Sequence, residues 1–413
     1  MSLAAEQRLP LRAAITVFTV FALAYFVSAL LRAITATLAP VLTSELSLQA
    51  SDLGLLAGGY FLGFAATQLP LGHALDRHGP RRVILVFLLL AVLGCLAFAW
   101  ADSFAGLMAA RVLIGAGVSA CLMAPLTGYR RWLDPGTQLR ANSWMLMTGS
   151  LGMLASTLPV QWLMPLVGWR GLFVVLALLL VLAMGLIARL VPTWPASAAP
   201  AAAPSAAPGG YAEVWRHPYF RRMAGVGFFI YGGMVAIQTL WAGPWLVRVA
   251  GLTPAQAAGG LFGLNLAMLL TFWAWGWLMP ALSRRGVRVE TLMAWGLPLH
   301  LAVLGFNIVQ GEQAGWAHWA LFCVTATVGS LAQPAVAQVF PAAMAGRALS
   351  AYNLVIFAGI FVVQWGLGLL VDGFLALGWA EVAAFQGAMS VFLAVGLVSY
   401  AAFQWPQAHN RSS

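Results

Sequence analysis

Arg32 and Arg111 each fall inside a long apolar run, a setting where a charged side chain needs a reason. A guanidinium within a bilayer costs at least about 2.5 to 3.5 kcal/mol by insertion scales, so it is expected to face a wet cavity or an anion and not hydrocarbon. Its planar, permanently charged fork matches a carboxylate or a phosphate with parallel hydrogen bonds. The chemistry these residues suggest is recognition of an anion, not bond making. The competing readings are that Arg32 snorkels to an interface and that Arg111 is structural. Tyr25, Tyr231, Gln238 and Gln333 are further polar side chains in apolar runs and are candidates to line the same cavity.

A proton-driven carrier usually needs an intramembrane group that can change charge. Asp52, Asp372 and Glu381 lie near the ends of apolar runs, and no Asp or Glu sits in mid-run. His300 and His318 are the remaining candidates for proton coupling, against the alternative of ordinary hydrogen-bonded histidines. Absent mid-run acids disfavour proton-driven export of cationic compounds. Trp241, Trp245, Trp273, Trp275 and Trp277 are read as interface anchors or packing before they are read as a substrate wall.

Composition sets the class. The chain has 413 residues, 62% of them hydrophobic and only 8% charged, with a mean hydropathy of +0.88. That is too little polar surface for a water-soluble fold, so a polytopic, all-α membrane protein is expected. All 21 basic residues are Arg. In a soluble chain the net charge of +10 would suggest nucleic acid; here the arginines cluster between apolar runs, where they set topology, and no nucleic-acid partner is expected. Cys95, Cys121 and Cys323 all lie inside apolar runs, so neither a disulfide framework nor a metal site is anticipated. No HExxH, nucleophile elbow or phosphate loop occurs, so neither an enzyme nor a bound cofactor is expected. The first apolar run lacks a small-residue cleavage site and reads as a retained span, not a signal peptide.

The elements that must hold these residues are twelve spans. The expected positions are about 13–37, 51–71, 83–100, 104–126, 142–164, 168–190, 223–247, 255–280, 289–309, 315–339, 348–371 and 382–404. Pro40 is expected to end the first, and Gly149-x-x-Gly152 gives the fifth a small-residue face for close packing. By the helical rise, Arg32 lies about 10 Å and Arg111 about 6 Å to the outer side of the midplane. Residues 192–210 are an Ala/Pro/Ser/Gly tract unsuited to packing or helix. The expected organisation is therefore an N-terminal bundle over 1–191, a cytoplasmic linker and amphipathic lead-in over 192–220, and a C-terminal bundle over 221–413. Arg8 and Arg12 hold the N-terminus in the cytoplasm. With twelve spans, every basic residue falls on a cytoplasmic segment except Arg170 and Arg248 outside and Arg32 and Arg111 within spans. Both termini are then cytoplasmic.

Between the second and third spans lies Gly72-His-Ala-Leu-Asp76-Arg77-His-Gly79-Pro-Arg81-Arg82, that is, G-x-x-x-D-R-x-G-x-R-R. Moving along by half the chain length carries Arg77, Gly79 and Arg81 onto Arg284, Gly286 and Arg288, while Asp76 maps to Ser283 and Gly72 to Met279. Likewise Gly168-Trp169 is echoed by Gly378-Trp379. The charged turn resembles the signature loop of the major facilitator superfamily of secondary transporters, and Arg111-Val-Leu-Ile-Gly115-Ala-Gly117 is similar to a second motif of that family.

The resemblance implies two pseudo-symmetric six-helix bundles about a central cavity, lined by helices 1, 4, 7 and 10. It also implies a bacterial inner-membrane location, a small-molecule substrate, contact with the lipid bilayer, protons or a counter-transported anion as coupling partners, and a monomer. Asp76 is implied to latch onto the N-terminus of helix 11, where the helix dipole favours a carboxylate. Arg77, Arg81 and Arg82 are expected to serve the same latch or to bind lipid headgroups. Arg32 is similar to the helix 1 Arg that binds anion in organic-phosphate and organic-anion members. Those phosphate members pair it with an Arg on helix 7, where this chain has Ala236 and Gln238. A small carboxylate therefore fits better than a phosphate, with efflux of amphipathic or uncharged compounds as the alternative.

Overall fold

The computed structural model describes residues 8–193 and 211–405; a few side chains inside helices, that of Asp76 among them, and nearly all of the 192–210 linker lie outside the described residues. The described chain is helical, and two merged helices divide where Gly79 (φ 74°) and Gly168 (φ 64°) break the helical backbone.

Twelve long helices result among the described residues. α1 is Leu11–Leu46. α2 is Ala50–Ala66, continued after a break at Thr67 from Gln68 to Gly79, and α3 runs from there to Trp100. α4 is Phe104–Trp132. α5 is Pro135–Ala155, continued from Leu158 to Gly168, and α6 follows to Leu190. A short lead-in helix, Tyr211–Arg216, precedes α7 (Pro218–Val249). Then come α8 (Pro254–Arg284), α9 (Val289–Gln310), α10 (Trp316–Val339), α11 (Ala342–Ala376) and α12 (Glu381–Gln404). Among the described residues ten helices are long and apolar enough to cross a membrane, with Ala50–Ala66 a shorter apolar one. This is the twelve-helix, all-α membrane fold that the sequence leads one to expect.

Several boundaries differ from expectation, each for a physical reason. α1 runs through Pro40 to Leu46. In an apolar medium a helix satisfies the remaining backbone groups, so one lost hydrogen bond does not end it. α5 starts at Pro135 because Asp134 caps it, its carboxylate accepting the Thr137 amide at 3.1 Å; Asp followed by Pro is a readable start signal. After the break at Thr67 the second stretch of α2 runs to Gly79, where the positive φ of the glycine ends it.

The chain divides into two compact units. The first holds Met1–Leu38 and Gly59–Ala203; the second holds Ala39–Gly58 and Pro204–Ser413. The grouping of 39–58 with the later residues follows from contacts inside the second unit. Asp372 near the end of α11 accepts the backbone amides of Ala50 (3.0 Å) and Ser51 (2.7 Å). A Cβ on Gly54 would collide with the Gln364 carbonyl, and one on Gly58 would come within 2.8 Å of the Phe361 ring. In the first unit, a Cβ on Gly63 would collide with the Val112 carbonyl and one on Gly115 with that of Tyr60. Small residues let these backbones approach, which is how helices associate when lipid is as apolar as the helix. Gly149 and Gly152 do the same for α5 against Tyr25 and Phe26 of α1.

Candidate functional site

In the first unit, close packing of α1, α2 and α4 puts both in-span arginines beside one aromatic pair. Arg111 on α4 is 1% exposed. Its Nη1 donates to the Leu31 carbonyl at 3.2 Å, and Nη2 donates to the Thr35 hydroxyl. Its guanidinium lies 5.6 Å from the Tyr60 ring centroid and 6.0 Å from that of Phe98. Tyr60 in turn donates to the Ser28 carbonyl and stacks on Phe64, centroids 6.1 Å apart. Arg111 thus ties α4 to α1 through charge-assisted hydrogen bonds and to α2 and α3 through cation–π contact.

Arg32 lies over the second ring of that pair, 5.8 Å from the Phe64 centroid. Tyr25, seven residues earlier and so on the same helix face, interacts electrostatically with it. Unlike Arg111, Arg32 is partly exposed. Tyr25 and Arg32 are thus brought together; Arg111 is their neighbour, with its guanidinium held by α1. Sequence reasoning missed Tyr60, Phe64, Ser28 and Thr35. A signal for Tyr60 and Phe64 was present in Gly59 and Gly63 beside them on α2; Ser28 and Thr35, on the glycine-free α1, carried none.

In the second unit, Gln238 on α7 donates to Asn265 on α8 at 2.9 Å, and Gln333 on α10 donates to Asn353 on α11 at 2.6 Å. Thr239 accepts from Gln364 at 3.0 Å, and the Trp241 indole donates to the Gln364 carbonyl at 3.0 Å. Asn265 and Gln364, buried amides in apolar spans, went unremarked in the sequence although their type was the signal. Tyr231 and Gln238 both lie in π-helical turns of α7, Val226–Tyr231 and Ile237–Trp241. Gln333 follows a 3₁₀ stretch of α10, Thr327–Leu331. Such irregular turns recur at functional positions of helices.

His300 is buried, with Nδ1 3.2 Å from the Phe322 carbonyl and its ring against that of Phe322. His318 is half-buried and stacks on Phe306. Trp241 and Trp245 are buried, whereas Trp273 and Trp277 are exposed, so the tryptophans divide between packing and lipid-facing positions. Trp275 donates to Thr327 at 2.9 Å.

The charged turn is built on Gly79, whose φ of 74° suits glycine. Gly72 is exposed, as are Arg77 and Arg82, while Arg81 donates to the Ala188 carbonyl at the end of α6. The Asp76 carboxylate lies outside the described residues.

Comparison with known proteins agrees with this architecture. The chain is 25% identical to the probable sulfoacetate transporter SauU of Cupriavidus necator over 58% of this chain and 58% of that protein. It is 28% identical to the hexuronate transporter of Escherichia coli K12 over 34% of this chain and 32% of that one. The matches thus span about three fifths and one third of the length of these relatives. A bacterial homolog to the human lysosomal transporter Spinster, solved in an inward-facing and unoccupied conformation, superposes with a TM-score of 0.79 at 16% identity, over 97% of this chain and 100% of that one, which shows a shared fold. The model of the Major Facilitator Superfamily matches residues 21–364, and the chain belongs to that family.

Proposed function

We propose that this protein is a secondary active transporter that moves a small organic anion, a carboxylate, across the bacterial cytoplasmic membrane by alternating access. The bundles 1–191 and 221–413 are the moving bodies, joined by the 192–220 linker, with both termini in the cytoplasm. The protein acts as a monomer, without a cofactor, and couples to protons or to a counter-transported anion. The observation that carries the reading is Arg32, partly exposed within an apolar span, with its guanidinium 5.8 Å from the Phe64 ring centroid. A guanidinium so placed offers two parallel donors to a carboxylate. Sulfoacetate and hexuronate, which the relatives' names specify, both carry a carboxylate. Gln238 and Gln333 are then candidates for the uncharged part of the substrate, and Arg111 acts as a brace beside the site.

The test is uptake of radiolabelled mono- and dicarboxylates into proteoliposomes. Saturable uptake of at least one, inhibited by other carboxylates, is expected. Absence of saturable anion transport together with intact dye export would overturn the reading in favour of an amphipathic-compound exporter.

A further inference from the structure

An apolar groove of about 510 Å³ runs between α7 and α12. Gly225 and Phe229 form one wall, and Val391, Val395, Val398 and Ala402 form the other. A Cβ on Gly225 would come within 3.2 Å of the Ser399 hydroxyl, so the groove reaches its floor because residue 225 has no side chain. From Val391 to Ala402 the helical rise gives about 16 Å. One leaflet has nearly that depth, half of the roughly 30 Å hydrocarbon core.

One end of the groove is basic. Arg221 stands one turn before Gly225, on the same helix face, and is exposed. Arg222 donates from Nε to the carbonyl of Phe403, next to Ala402, at 2.7 Å, with its guanidinium 4.5 Å from the Phe403 ring centroid. The same end carries the exposed indoles of Trp215 and Trp405, a residue type that settles at headgroup depth. A basic mouth at the interface and an apolar trough one leaflet long are the two halves of a lipid-binding site. We propose that the groove binds an anionic phospholipid, with one acyl chain along α12 and the phosphate between Arg221 and Arg222. Basic pockets between membrane helices select anionic headgroups in this way.

Native mass spectrometry of the purified, full-length protein with equal amounts of phosphatidylglycerol and phosphatidylcholine tests this. Wild-type protein is expected to retain more phosphatidylglycerol. Arg221→Gln should lower that retention about fivefold, the effect of one interfacial arginine on an anionic lipid, and lower phosphatidylcholine retention less, because choline already offsets the charge of its phosphate. Val395→Phe fills the trough without changing charge and should lower retention of both lipids; Val398→Phe, at a position 70% exposed, repeats the test without loading the core. Val309→Phe, on the exposed face of α9, should change neither. Equal retention of the two lipids by wild-type protein, or full retention by both trough variants, would overturn the proposal. So would a wild-type dimer that the trough variants dissociate, which would assign the groove to a second copy of the chain.

Discussion

Arg32 and Arg111 lie beside the same stacked pair, Tyr60 and Phe64, yet their surroundings make different demands on them. Arg111 has its guanidinium engaged by Leu31 and Thr35 and has almost no exposed surface. Arg111→Gln should therefore act on the fold. Losing charged hydrogen bonds worth roughly 1.5 to 3 kcal/mol each should lower the thermal midpoint in detergent by several degrees; an unchanged midpoint would remove the bracing role. Arg32→Lys keeps the charge but loses the fork, and anion affinity, measured by a ligand-induced thermal shift, should fall by about an order of magnitude. Unchanged affinity would take Arg32 out of the site. That both arginines matter was legible in the sequence, because charge is scarce there. What each one holds was not, since partners such as Thr35 are decided by how α1 and α4 register against each other.

At the scale of the element, Asp372 and the first turn of α2 form a joint between segments more than three hundred positions apart. The partial positive end of a helix favours a carboxylate by roughly 0.3 to 1 kcal/mol. Asp372→Asn gives up that charge while keeping one acceptor oxygen. With a cysteine placed at Ser51, labelling by a membrane-impermeant maleimide should be roughly two- to fivefold faster in Asp372→Asn than in the parent, by that energy; equal rates would show that the charge holds nothing. The sequence placed Asp372 and Asp52 alike near span ends. Only the structure separates them, with Asp372 on a distant helix end and Asp52 bonded locally to the Gln49 amide at 3.1 Å.

At the scale of the whole molecule, the internal repeat is written into the backbone as well as the letters. Gly79 and its repeat-mate Gly286 share a φ of 74°, and Gly168 and Gly378 both have positive φ, 64° and 84°. These turns were legible because a left-handed residue almost demands glycine and leaves a mark in the sequence. The grouping of 39–58 with later residues was not legible, because small-residue contacts do not say which of several apolar helices will be the neighbour. The latch reading of Asp76 belongs at this scale too, as a proposal. Asp76→Asn should slow turnover in proteoliposomes with little change in affinity, since a latch biases the populations of two states. Unaltered turnover would remove the latch.

One further consequence lies in the spacing of four glycines on α2. Gly54 and Gly58 meet Gln364 and Phe361, whereas Gly59 and Gly63 meet Met108 and Val112. Five residues of helix turn the second pair roughly 140° from the first, so this rod is bare on two separate flanks. A library of single replacements across 50–66 would then show two forbidden stripes instead of the single one typical of a helix seated on a core, and bulk added on either stripe would act as a shim.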